Sequence, residues 1–244
     1  MNKLFEINKN TEQKDDDILL CEISDTYACI ARYDQSSTTI TAVNYYTFST
    51  QKFVESFKKI FDDAFMQSPN KKIISAAFAE AFLVPNQFYR EDSLNSFFIE
   101  LSRCRVLTDK IPEWQMVNTY TIPLAIYDLL SKEGTTFFHA YTPTLKIYNG
   151  YDAEHQVMVH FSPQQFRVMV KRGGRLQLAQ NYAYTVPLDV VYYLLSIYQQ
   201  FGLPKEETFL LLSGLVEKKS ALYKELDNYF LNIHFNSPSV DSSL

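Results

Sequence analysis

The chain has 244 residues, 46% of them hydrophobic, which is enough for a sizeable core in one large domain or in two lobes. Its net charge of −5 argues against non-specific nucleic-acid binding, which needs a basic surface. The first residues lack a secretory apolar core and no stretch reaches the length of a membrane span, so a cytoplasmic protein without direct membrane insertion is expected.

Residues 1–17 are polar, end in Asp15-Asp16-Asp17, and are expected to form a mobile arm with Leu4-Phe5 as its apolar anchor. Leu19 to Ile23 predicts a mostly apolar strand, Ser24-Asp25-Thr26 a polar turn, and Tyr27–Tyr33 and Thr39–Phe48 two further strands. Phe53, Phe57, Ile60, Phe61, Ala64 and Phe65 recur at helical spacing, and Ile73–Phe78 predicts the fourth strand. The strand signal runs on toward Phe82-Leu83-Val84-Pro85. Asp92 or Ser93 then caps a short helix carrying Leu94, Phe97, Phe98 and Leu101. Gln115–Tyr120 reads as a strand, a helix opens at Thr121 with Pro123 behind it, and Phe137–Ile147 reads as extended.

The second half repeats the first pattern. Val157–Phe161 is an apolar strand and Ser162-Pro163-Gln164 a turn. Phe166–Lys171 alternates, and Gly173-Gly174 is a hairpin signal, because glycine reaches positive φ at little cost. Arg175–Tyr184 returns as a third strand. Thr185 and Pro187 open a helix with Val190, Leu194, Ile197 and Tyr198 on its inner face, and Thr208–Leu212 is a continuous apolar strand. Ser220 caps a last helix, Leu231–Phe235 adds a strand, and residues 236–244 are expected to be disordered. The two runs superpose at an offset of roughly 137 residues, placing Asn44-Tyr45 on Asn181-Tyr182. The expected organisation is therefore an arm (1–17), a first lobe (18–150), a second lobe (151–235) and a tail (236–244).

Three hairpin-linked strands, a helix and a strand continuing the sheet, used twice, resemble the duplicated ribonuclease-H-like fold of actin, Hsp70, sugar kinases and actin-like pilus-assembly ATPases. Phe82-Leu83-Val84-Pro85 with Phe88-Tyr89 also resembles an uncharacterised bacterial family of that superfamily. The fold class so implied is α/β: two lobes, each a mixed five-stranded sheet flanked by helices, in the actin-like ATPase architecture.

In the ATP-binding members of that superfamily, phosphates sit between two hairpins, each with an Asp and a Gly at the end of its first strand. The matching turns here are Ser24-Asp25-Thr26, with an Asp and no Gly, and Ser162-Pro163-Gln164, with neither. The chain holds six glycines and none precedes Gly134. The paired glycines of the adenosine motif are reduced to Ser213-Gly214, where a tight strand-to-helix turn explains the glycine better than a nucleotide does. Asp25, Ser213 and Gly214 are thus the candidate nucleotide-binding residues.

No metal site is expected. Cys21, Cys29 and Cys104 match no zinc spacing, and His155 and His160 would face opposite sides of one strand. Lobe one offers only Glu22 and Asp25 near its first strand, too few acids for a two-metal nuclease. The resulting expectation is a non-catalytic actin-like scaffold, a pseudo-ATPase without a cofactor, that binds an unidentified protein partner. The alternative is a divergent enzyme that binds ATP and magnesium through the three candidate residues.

Overall fold

The computed structural model describes residues 1–8, 17–62, 71–92, 98, 101–148 and 153–236. The chain divides into two compact units, Met1–Ile147 and Tyr148–Leu244.

In the first unit, β2 (Ile18–Ile23), β3 (Tyr27–Asp34) and β4 (Thr39–Thr47) form an antiparallel meander. Helix α1 (Phe53–Phe61) then crosses over to β5 (Lys71–Ala76), which lies parallel to β2. Further along, β9 (Thr135–His139) pairs in parallel with β5. Helix formation in α1 follows the sequence stripe: Phe57, Ile60 and Phe61 are buried against Leu19, Cys21, Ile23, Ile30 and Ile74 of the sheet. Ala64 and Phe65, expected on the same helix, lie outside the described residues.

The second unit repeats this plan. An antiparallel meander of β10 (His155–Ser162), β11 (Gln165–Arg172) and β12 (Arg175–Ala183) is followed by α4 (Pro187–Gln200) and by β13 (Phe209–Gly214), parallel to β10. Helix α5 (Ala221–Asp227) leads to β14 (Ile233–Phe235), parallel to β13. The expected two-glycine turn is present, with Gly173 at φ 56° and Gly174 at φ 71°, the left-handed pair that a two-residue hairpin requires. Val157, Val159 and Phe161 face the helices together with Phe166, Val168 and Val170, against Val190, Leu194 and Ile197.

Both sheets therefore contain the order third-second-first-fourth-fifth, as β4-β3-β2-β5-β9 and as β12-β11-β10-β13-β14. The first unit differs by two additions. One is β1 (Asn2–Asn8), which pairs antiparallel with the outer edge of β4 and makes that sheet six-stranded. The segment expected as a mobile arm is thus an edge strand over Asn2–Asn8. Phe5 anchors it by lying 5.4 Å from the Tyr45 ring, which in turn stacks on Tyr27 at 5.7 Å. The other addition is a three-stranded sheet, β6 (Ala81–Pro85), β7 (Cys104–Ile111) and β8 (Met116–Pro123), in the order β6-β8-β7.

The sequence reading needs correction in this inserted region. β7 had no predicted counterpart. Thr121 does not cap a helix: it is buried inside β8 and donates to Glu80 Oε2 at 2.9 Å, and α2 (Leu124–Leu130) starts after Pro123. The extended run expected over 137–147 ends at His139, and α3 (Tyr141–Tyr148) follows. The helix expected from Asp92 or Ser93 and the disordered tail fall mostly outside the described residues.

Candidate functional site

The first candidate turn, between β2 and β3, is closed by its own serine. Ser24 is buried, and its Oγ accepts from the backbone N–H groups of Thr26 and Tyr27, both at 3.1 Å. The Ser24 N–H donates to the Tyr27 carbonyl at 2.9 Å, and Thr26 O accepts from Phe48 N, also at 2.9 Å. A side-chain oxygen that takes two successive amides is a common local substitute for an external acceptor. The Thr26 and Tyr27 amides of this hairpin are therefore already occupied. Asp25 sits half-buried at the apex.

The second candidate turn, between β10 and β11, consists of Pro163 and Gln164, flanked by the paired Ser162 and Gln165. Pro163 has no N–H to offer, and Gln164 adopts the left-handed conformation at φ 59° without being glycine. The Gln164 carbonyl accepts from Tyr184 N at 3.0 Å. Aromatic rings fill the core side of this hairpin: Phe161, Phe166 and Tyr184 lie with centroids 5.9–6.2 Å apart.

Ser213 and Gly214 end β13. Gly214 has φ 79°, and a Cβ placed there would lie 2.2 Å from the Phe161 carbonyl oxygen and 2.9 Å from its nitrogen. That oxygen accepts the N–H of Leu215 at 2.9 Å. The close approach of two strand backbones accounts for this glycine without a ligand. The parallel register sets Gly214 opposite Phe161 and Ser213 opposite His160. Ser213 and Gly214 thus adjoin the Ser162-Pro163-Gln164 turn, while Asp25 belongs to the other unit.

The structure also shows a pair that the sequence reading missed. His160 Nδ1 and Ser213 Oγ lie 3.0 Å apart, and Ser213 Oγ is 3.4 Å from Val159 O. The signal was present as two apolar triplets, Val157-Met158-Val159 and Leu210-Leu211-Leu212, each followed by the polar residue of the pair. The contact joins β10 to β13.

A second missed cluster sits in the first unit, where β7 meets the start of α3. Buried Asp109 accepts from His139 N at 2.8 Å, Thr142 Oγ1 at 2.6 Å and Tyr120 Oη at 3.3 Å. Burial pushes its carboxyl above the usual Asp value, while the three donors pull the other way without cancelling the effect. His139 is held by its neighbours: Tyr141 N donates to Nδ1 at 3.2 Å, which leaves Nε2–H to donate to Phe78 O at 3.2 Å. Burial and the Asp109 charge raise the Tyr120 phenol. Every polar atom named in this cluster has a partner, and the arrangement ties β7 and β8 to β9 and α3.

Nucleophile chemistry has little support at Cys21 and Cys29. Burial pushes Cys29 up to about 12 and Cys21 higher still, so neither is a thiolate at neutral pH. Among the described residues no group of three or more His, Cys, Asp or Glu side chains converges as metal ligands would. No described helix is long and apolar enough to cross a membrane. An open depression of about 760 Å³ lies at the N-terminal ends of β5 and β9, lined by Lys71, Glu133, Gly134, Thr135 and Thr136. Ligands of open α/β sheets bind at the opposite, carboxyl ends of the strands.

The family described as "Protein of unknown function (DUF3822)" matches residues 6–233. The chain belongs to that family. Among solved structures, this DUF3822 protein is similar to a Bacteroides thetaiotaomicron VPI-5482 protein described as having an actin-like ATPase fold and unknown function. The two share a TM-score of 0.74 and 16% identity, over 91% of each chain. A chain of the PilM-PilN type IV pilus biogenesis complex is similar at TM-score 0.59 and 9% identity, over 91% of this chain and 88% of that one. No curated protein matches the chain. At such identities the likeness establishes the fold: the DUF3822 protein has the actin-like ATPase architecture anticipated from its strand pattern.

Proposed function

We propose that this DUF3822 protein is a non-catalytic actin-like scaffold, a pseudo-ATPase of tandem origin that works by binding another protein. The observation carrying the proposal is the state of the two hairpins that grip phosphate in ATP-binding relatives. The first spends its Thr26 and Tyr27 amides on Ser24 Oγ, and the second has Pro163 where a donor is needed. The common five-strand order of the two units supports descent from one copied ribonuclease-H-like unit. That a neighbour of this fold was solved in the PilM-PilN complex supports protein binding as a use of the architecture.

The test is thermal unfolding and phosphate release with magnesium and ATP. A ligand at 100 times its Kd stabilises the native state by about 2.7 kcal/mol, which is readily seen as a melting shift. The proposal expects no shift at millimolar nucleotide and no phosphate release. A saturable shift that is lost in Asp25→Ala would overturn it. That result would favour the second reading, a divergent ATP-binding enzyme, for which the half-buried Asp25 at the first hairpin is the supporting feature.

A further inference from the structure

The shared strand order exposes a difference between the two units. In the first, the outer edge of the meander, β4, is covered by β1 along Asn2–Asn8. In the second, the corresponding edge is β12, and among the described residues no strand pairs with its outer side. Open edges are normally blunted by charge, proline or short length. The other edge strands follow that rule: β1 carries Lys3 and Glu6, β7 carries Arg105 and Lys110, β6 ends in Pro85, and β9 and β14 have five and three residues. β12 does not follow it. It has nine residues, its single charge is Arg175 at the first position, and it contains no proline. Its one irregularity, a bulge near Gln177, leaves Leu178–Ala183 in regular register with β11.

We propose that β12 pairs antiparallel with the β12 of a second copy of this chain, across a two-fold axis at Gln180, to form one continuous sheet. The side chains favour this occupant. In a continuous sheet, paired residues share a face, so an axis at Gln180 sets Leu178 of each copy opposite Tyr182 of the other and Ala179 opposite Asn181. Leu178 and Tyr182 both lie on the helix-covered face, each half-buried, as exposed halves of a cross-strand apolar pair would be. Gln180 lies on that same face and is exposed, and its amide is both donor and acceptor for its own copy. No charge falls within 178–182, so no like charges oppose each other. The adjoining helix supplies further apolar surface: Tyr193 packs 4.6 Å from Tyr182, and next to it Tyr192 is 67% exposed. This inference stands independently of the scaffold reading, because it uses none of the hairpin residues.

Sedimentation velocity on the full chain tests it, with Gln180→Lys and Gln180→Glu as variants at an exposed position. The proposal expects a wild-type dimer that grows with concentration, monomers for each variant alone, and a restored dimer when the two variants are mixed in equal amounts. A wild-type chain that stays monomeric over the whole range overturns it and leaves β12 to a strand from another protein. A dimer that survives in both variants, or one that their mixture fails to rebuild, also overturns it.

Discussion

Local contacts account for three residues: Gly214, a candidate from the sequence, Ser24, which closes the first candidate turn, and Asp109, which the sequence reading missed. Gly214→Ala would force a Cβ to within 2.2 Å of the Phe161 oxygen at a positive φ, so we expect a loss of about 3 kcal/mol in urea unfolding, read as a lower midpoint. An unchanged midpoint would mean that the strand contact is not what holds this glycine. Ser24→Ala leaves two amides without their acceptor, at an expected cost of about 1–3 kcal/mol. Asp109 behaves differently, because its carboxyl binds its proton more tightly in the native than in the unfolded chain. The stability this group contributes is full below the ordinary Asp value, about 3.9, and falls as pH rises through the native one. Asp109→Asn keeps an oxygen for His139 N and Thr142 Oγ1 and should flatten that acid-side slope. Asp109→Ala takes the acceptor from all three donors and should cost about 1–3 kcal/mol at neutral pH. Identical pH–stability curves for wild type and Asp109→Asn would contradict this account.

At the scale of elements, what was legible in the sequence was whatever is specified locally. The stripe of α1, the Gly173-Gly174 hairpin, and the helix at Ser220 each carry their own signal within a few residues. Ser220 Oγ accepts from Tyr223 N at 3.1 Å, and Ser220→Ala should lower stability by about 1 kcal/mol, measured by chemical denaturation. Misread elements were those whose determinants lie far away in the chain. The start of α3 has no cap of its own in sequence. Asp109, some thirty residues earlier on β7, fixes the chain just before it through His139 N and its first turn through Thr142 Oγ1. β7 itself, Cys-Arg-Val-Leu-Thr-Asp-Lys-Ile, mixes charged and apolar residues because it is the edge of a small sheet, and its pattern is too irregular to stand out. The strand at Asn2–Asn8 was missed for a related reason: only pairing with β4 organises so polar a segment. The Ser213–His160 contact depends on the parallel register of β10 and β13: the two apolar triplets mark the strands, and only their pairing sets the two polar residues side by side.

At the scale of the molecule, one strand order is used in both units, and the differences between them are informative. The first unit has an additional three-stranded sheet and the edge strand β1, while among the described residues the second has five strands and none pairs with the outer side of β12. The fold is that of a protein described as having an actin-like ATPase fold; of the two hairpins, the first is closed on Ser24 Oγ and the second contains Pro163 and packs aromatic rings behind it. Hydrogen exchange at the Thr26 and Tyr27 amides reads this directly. The account predicts that both are protected in the free chain by Ser24 Oγ, and that adding magnesium and ATP leaves their exchange rates unchanged. Amides that exchange freely on their own and become protected only when nucleotide is added would contradict it.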